Sequence, residues 1–173
     1  MSNRPSCLLG NAALILLAAC ALLLAVTQSH AIMTRATLPE LAAGATGIVR
    51  GQVLDVTSRW DSEGKTIFTY VTISVDEWLK GAGPETVTVR VVGGKVGGVG
   101  LWVEDTPVFA GGESVVTFLE PSEEELAHDV RGLFQGKFSV EDGRVIEAGL
   151  PLGDFVSMVR SIVKMQEKDL LEE

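Results

Sequence analysis

Apolar and polar residues alternate along Thr66–Val75. Ile67, Val71, Ile73 and Val75 point one way; Phe68, Tyr70, Thr72, Ser74 and the following Asp76 point the other. A period of two predicts a strand, ended by Trp78-Leu79-Lys80-Gly81. Thr86–Val91 repeats the pattern, with Val87, Val89 and Val91 facing in and Thr86, Thr88 and Arg90 facing out. Ile48–Val56 is a further β-rich run, with Gly51 as a bulge or close-packing point. The polar stretch Arg59–Lys65 then joins it to the next strand as a hairpin loop. Ser114–Leu119 is nearly all apolar, as expected of a strand covered on both faces. Gly136–Glu147 reads as a hairpin around Asp142-Gly143, a pair that favours the positive φ of a type I′ turn.

Between these runs lie segments with weaker signals. Gly93–Gly100 is glycine-rich and predicts a bulged or mobile loop. Leu101-Trp102-Val103 is a short apolar segment leading to Pro107-Val108-Phe109, and Gly111-Gly112-Glu113 is a turn. Glu120–Asp129 reads as an acidic, mobile loop in which Glu123–His128 has room for one helical turn. Val130–Phe134 is a strand candidate.

The period changes at both ends of this β-rich region. Thr37 is a candidate N-cap, with Pro39 and Glu40 suited to the first turn and Gly44 to the stop. Beyond Pro151, Leu152, Phe155, Val156, Val159, Ile162 and Val163 recur at spacings of three and four. That is one face of an amphipathic helix over 151–170, with Arg160, Lys164 and Lys168 on its wet side. Packing against the domain's own sheet is the expected use of this stripe; a partner helix is the alternative. Five to seven strands flanked by these helices predict a mainly β fold, a small antiparallel barrel.

Residues 1–31 have a different character. Arg4 supplies a short positive region, Ala12–Val26 is unbroken apolar sequence, and Ser29-His30-Ala31 offers the small-x-small pattern of a signal-peptide cut. Export is therefore expected, to the periplasm or beyond. An uncleaved anchor is the weaker alternative, because the run is shorter than the ~20 residues of a membrane span. Leu17-Ala18-Ala19-Cys20 resembles a lipobox, which would make Cys20 a lipid anchor point. A cut after Ala31 leaves 142 residues, one domain from Ile32 to Glu173.

That cut also removes Cys7 and Cys20, both cysteines of the chain, leaving no thiol and a single histidine, His128. Losing Arg4 leaves 13 basic and 23 acidic residues, a net charge of −10. Such a surface repels nucleic-acid phosphates and anionic lipids, so neither is an expected partner. One histidine without cysteine does not furnish the usual zinc ligands. Asp61 with Glu63, and Glu104 with Asp105, lack calcium-loop spacing. Lys95 follows Gly93-Gly94 without P-loop spacing, and no nucleophile-elbow motif accompanies Ser114 or Ser139. No cofactor, metal or catalytic residue is expected.

Four aromatics invite a binding reading. Trp60, Phe68, Tyr70 and Trp102 fall on the outward strand face or in loops, where clustering would make an adhesive surface. Burial under loops and the C-terminal helix is the plainer alternative. Gly93, Gly94 and Lys95 complete the candidate set, since glycines let a partner's backbone approach closely.

Gly51-Gln52-Val53, Thr69-Tyr70-Val71, Val75–Gly81, Gly93-Gly94, Phe109, Gly112-Glu113, Phe118-Leu119 and Gly136-Lys137-Phe138 resemble exported bacterial proteins with a netrin-like, OB-fold barrel. Leu79-Lys80-Gly81 and the strand from Gly112-Glu113 to Phe118-Leu119 are also similar to tissue inhibitors of metalloproteinases. The resemblance implies an OB-like barrel. In those inhibitors an N-terminal cysteine binds the protease zinc, whereas this chain has no cysteine beyond position 20. The expectation is an exported, non-catalytic module that binds a protein. Inhibition of a secreted metalloprotease is one alternative, and hydrolysis using His128 is another.

Overall fold

Two fourteen-residue strands, β1 (Gly47–Trp60) and β2 (Ile67–Lys80), set the frame in the computed structural model, which describes residues 35–172. The leader, its cut after Ala31 and the lipobox at Cys20 lie outside the described residues. β3 (Thr86–Val92) follows, then the short β4 (Gly94–Val96) and β5 (Val99–Leu101). Next come β6 (Ser114–Pro121), β7 (Ala127–Val130), β8 (Lys137–Glu141), β9 (Arg144–Val145) and β10 (Leu150–Pro151). Helix α1 (Leu38–Gly44) precedes the strands and helix α2 (Leu152–Leu171) ends them. Among the described residues no helix is long and apolar enough to cross a membrane.

The main sheet runs β1-β2-β3-β7-β6-β8-β9-β10, and an added β1–β6 pairing closes β1, β2, β3, β7 and β6 into a ring. The β3–β7 seam is parallel and joins only Thr88 to Ala127 and Val89 to His128. The result is an OB-like ring that is partly open rather than a clean barrel. Five strands form the ring. The other five segments are short, of two to five residues, and fan out from β6 or stand apart as the β4–β5 pair.

Alternation explains why the ring fills. Val53, Val71, Ile73, Val87, Val89 and Leu119 form its interior cluster. Gly51 sits at a register shift, and a Cβ there would lie 2.0 Å from the Ser74 carbonyl oxygen, so only glycine allows β2 this close. β6 is buried on both faces, as its apolar run predicts. Val115 and Leu119 face the ring, while Val116 and Phe118 face the helices. Thr117 shares the ring-facing side, fully buried, with no partner for its hydroxyl.

The second cluster lies outside the ring. Phe155, Val156, Val159 and Val163 of α2 pack with Leu41 and Ala42 of α1 on Ile48, Val116 and Phe118. Phe138 joins them, its ring centroid 5.5 Å from Phe118 and 4.8 Å from Phe155. Tilted pairs of this kind suit the quadrupoles of the rings. The helical stripe is thus spent on the domain's own sheet. Thr37 caps α1 in a reciprocal capping box with Glu40, and Thr37 backbone and side-chain bonds hold the Glu40 carboxyl below its ordinary pKa. Lys80 Nζ donates to the Ala42 and Ala45 carbonyls at 2.6 and 2.7 Å, satisfying the far end of that helix.

Four local expectations need correction. β1 extends to Trp60, so Arg59 and Trp60 belong to a strand and the loop shrinks to its tip, where Asp61 accepts from the Lys65 and Thr66 amides. Gly93–Gly100 is a hairpin, β4 and β5, that turns at Gly97-Gly98. Glu123–His128 forms no helical turn: Ala127–Val130 is strand β7, taken up by pairing with β3 and β6. Val130–Phe134 is not a strand, because the chain leaves β7 at Val130 and enters a 3-10 turn at Leu133–Gly136. By contrast, Asp142 (φ 47°) and Gly143 (φ 73°) form the expected positive-φ turn between β8 and β9.

Candidate functional site

The β1–β2 hairpin projects beyond the point where β6 stops pairing with β1, and its two faces host different environments. The inner face opens into the ring mouth. Val56, Ser58, Thr69 and Val71 continue the interior pattern there, opposite Val91. The chain from Trp102 to Phe109 passes across them, and a groove of about 500 Å³ lies between. That volume lies within the ~300–1,000 Å³ of small-ligand sites, and barrel mouths are a recurring place for them.

The groove is mostly apolar. Val56, Val71, Val91, Val103 and Val108 line it, with Phe109, itself 8% exposed, closing the inner end. Trp102 stands on the rim at 83% exposure, with Val108 at 69%. An indole so exposed makes little contact with its own protein. Lys95 is the charged residue lining this groove.

Hydroxyls and glycines build the groove floor. Thr69 Oγ1 donates to the Gly93 carbonyl at 2.7 Å, and Ser58 Oγ lies 2.9 Å from Thr69 Oγ1. Gly94 has φ 131°, and a Cβ on it would lie 2.3 Å from Thr69 Oγ1 and 2.4 Å from Ser58 Oγ. The glycine therefore lets β4 seat directly on these hydroxyls. Gly93 (φ 103°) anchors the same junction through its amide to Ile67 O at 2.8 Å. Their role is close packing, and the hydroxyls are occupied by it.

The outer face carries a network of aromatics and charges around a cleft of about 460 Å³. The Arg59 guanidinium lies 3.6 Å from the Tyr70 ring centroid and donates to Glu124 Oε1 at 2.8 Å. The Tyr70 hydroxyl donates to the other oxygen of Glu124. Partial burial raises the Tyr70 pKa above its ordinary 10.0, and the bond to Glu124 adds to the rise. Arg90 lies over Phe68 at 4.8 Å and grips Asp129 through two bonds of 3.1 and 3.2 Å, which raise its pKa. Trp60 borders this cleft. The acidic loop expected to be mobile is thus tied down through Glu124 and Asp129.

The seven candidate residues therefore separate into two groups. Trp60, Phe68 and Tyr70 border the outer cleft; Gly93, Gly94, Lys95 and Trp102 border the mouth. Pattern reading took Arg59 only as the start of a binding loop, Arg59–Lys65, and missed Arg90, Glu124 and Asp129, since the pairings of these charges span 39 to 65 positions. It also missed Val108, which shows no periodicity in Pro107-Val108-Phe109.

Among the described residues no catalytic geometry assembles around His128. It lies on β7 opposite Pro121 of β6, whereas Ser114 begins β6, seven residues and roughly 23 Å away at strand rise. Ser139 Oγ donates to Glu147 at 2.8 Å and accepts from Lys137, whose ammonium also binds Glu113. Among the described residues no three metal-capable side chains converge. No family model matches the chain, and no curated protein is significantly similar to it. The reading of function therefore rests on the site itself.

Proposed function

We propose that this chain is an exported, non-catalytic binding module that holds a protein partner at the ring mouth. The observation that carries the reading is Trp102, 83% exposed on the rim of an apolar groove of about 500 Å³. Tryptophan is enriched among residues that dominate binding energy, through a large rigid surface that loses little entropy on contact. Val108, also in the groove lining and 69% exposed, extends the apolar area beyond the indole. The hydroxyls of the floor are bonded within the protein, so recognition there is by shape and apolar contact.

Site-specific photo-cross-linking tests this. A cross-linker at Val108 is expected to trap a protein from the native extracellular or periplasmic fraction, and Trp102→Ala should abolish the adduct while the circular dichroism stays unchanged. A cross-linker at Ile146, an apolar residue 51% exposed and outside the groove lining, is the control. Equal trapping at both positions, or none at Val108, overturns the reading. A metalloprotease in the adduct would support the inhibitory version.

A further inference from the structure

The edge of β1 is paired unequally along its length. On the β6 side, pairing ends at Val53, where the Val53 amide donates to Glu113 O and the Gly112 amide to Val53 O, both at 2.8 Å. The chain before Gly112 crosses the inner face of the hairpin instead and makes no backbone hydrogen bond to Leu54–Trp60. On the other side β2 stays paired as far as Trp60, which faces Ile67. Leu54–Trp60 therefore has a strand on one edge only, among the described residues. Leu54 is 58% exposed and the Arg59 side chain likewise 58%. An open edge of seven residues presents backbone donors and acceptors to any strand that arrives.

We propose that this edge pairs with the same edge of a second copy of the chain, antiparallel about a two-fold axis at Thr57. The charges favour this occupant. Asp55 and Arg59 lie two residues either side of Thr57. In that register Asp55 of each copy falls opposite Arg59 of the other, twice over, and Leu54 falls opposite Trp60. Opposite charges directly across a strand pair attract, whereas like charges there repel. Moving the axis to Val56 sets both charges opposite neutral residues, and moving it to Ser58 sets Asp55 opposite Asp61, a like charge.

Local geometry suits the pairing. The last register shift of β1 lies between Val53 and Asp55, and from Asp55 to Trp60 the strand is regular. Asp55 accepts from the Thr57 hydroxyl at 2.7 Å, while Arg59 is held over Tyr70 and bonds Glu124 through one of its five N–H donors, leaving others for Asp55 of the second copy. Both side chains are ordered before any partner arrives, which lowers the entropic cost of association. The whole chain is acidic, at −9, yet this edge carries one charge of each sign and is neutral. An interface of seven residues a side falls short of the ~20–30 of a standard one, so the expected dimer is micromolar or weaker.

Sedimentation velocity on the purified protein, from roughly micromolar to millimolar concentration, should show a monomer–dimer equilibrium. Asp55→Arg alone and Arg59→Asp alone should each weaken self-association by about tenfold or more, because each sets like charges opposite one another. An equimolar mixture of the two variants should form a heterodimer, since each then supplies the charges the other lacks. Hydrogen exchange of the wild-type chain should slow at Asp55–Arg59 as concentration rises, which needs no variant to fold. A monomer at every concentration, a dimer indifferent to both substitutions, or protection confined to other strands overturns the proposal. The mouth reading stands or falls separately, because Trp102→Ala leaves Asp55 and Arg59 in place.

Discussion

The two faces of the β1–β2 hairpin treat their aromatic residues in opposite ways. On the outer face Tyr70 lies under Arg59 and bonds Glu124, and Phe68 lies under Arg90, which Asp129 holds. Both of these rings have a partner within the chain, whereas Trp60 at the border of the same cleft is 39% exposed. At the mouth, Trp102 is left 83% exposed beside Val108 and an open groove. The contrast shows that an aromatic outside the core is not in itself evidence of a binding surface. What distinguishes the two is whether the chain's own charges already occupy the ring.

Substitutions can break this contrast, beginning at the junction that shapes the mouth. Gly94→Ala places a Cβ against the Ser58 and Thr69 hydroxyls at a φ that favours glycine. Strain and overpacking together should cost about 3 kcal/mol in urea denaturation and unseat the β4–β5 hairpin. On the outer face, Arg90→Ala removes two charge-assisted bonds and the cover over Phe68. A loss of about 2 kcal/mol is expected, with faster proteolysis in Ser122–Leu126 as β7 loosens. A loss under half that would show the network to be ornamental.

Alkaline titration tests the same face more finely. The folded pKa of Tyr70 is raised, so its contribution to stability is complete below the ordinary value of 10.0 and disappears as pH rises through the folded value. Stability should decline above about pH 10, and Tyr70→Phe should reduce that decline relative to the wild type. The smallest effect belongs to the mouth. Trp102→Ala should change stability by no more than about 0.5 kcal/mol, because the exposed indole supports little of the fold. A larger loss would mean that the indole is structural and that the two faces are alike.

Much of the fold was legible because its signals are local. Val87, Val89 and Val91 share a face through the two-residue period of a strand, and all three are buried. Phe155, Val156, Val159 and Val163 share a face through the helical period, and they too are buried. Asp142-Gly143 encodes its turn in two adjacent residues. The candidate site was legible only in part. Trp102 and the glycine pair could be singled out by residue type, yet Gly93 and Gly94 act as packing points beneath the groove. Nothing near Tyr70 in the chain announces Glu124, 54 positions away.

Periodicity, capping and turn chemistry thus determined which segments became strands and helices, since each depends on neighbours within a few residues. Tertiary structure alone decided that β6 closes the ring against β1, that β7 joins β3 in parallel, and that the glycine-rich stretch becomes a hairpin over the mouth. Those outcomes depend on which distant surfaces fit together, and a strand's own alternation is the same whichever neighbour it meets. The same physics separates Tyr70 from Trp102: both are aromatics outside the core in the sequence, and only folding brought a carboxylate and a guanidinium to one of them.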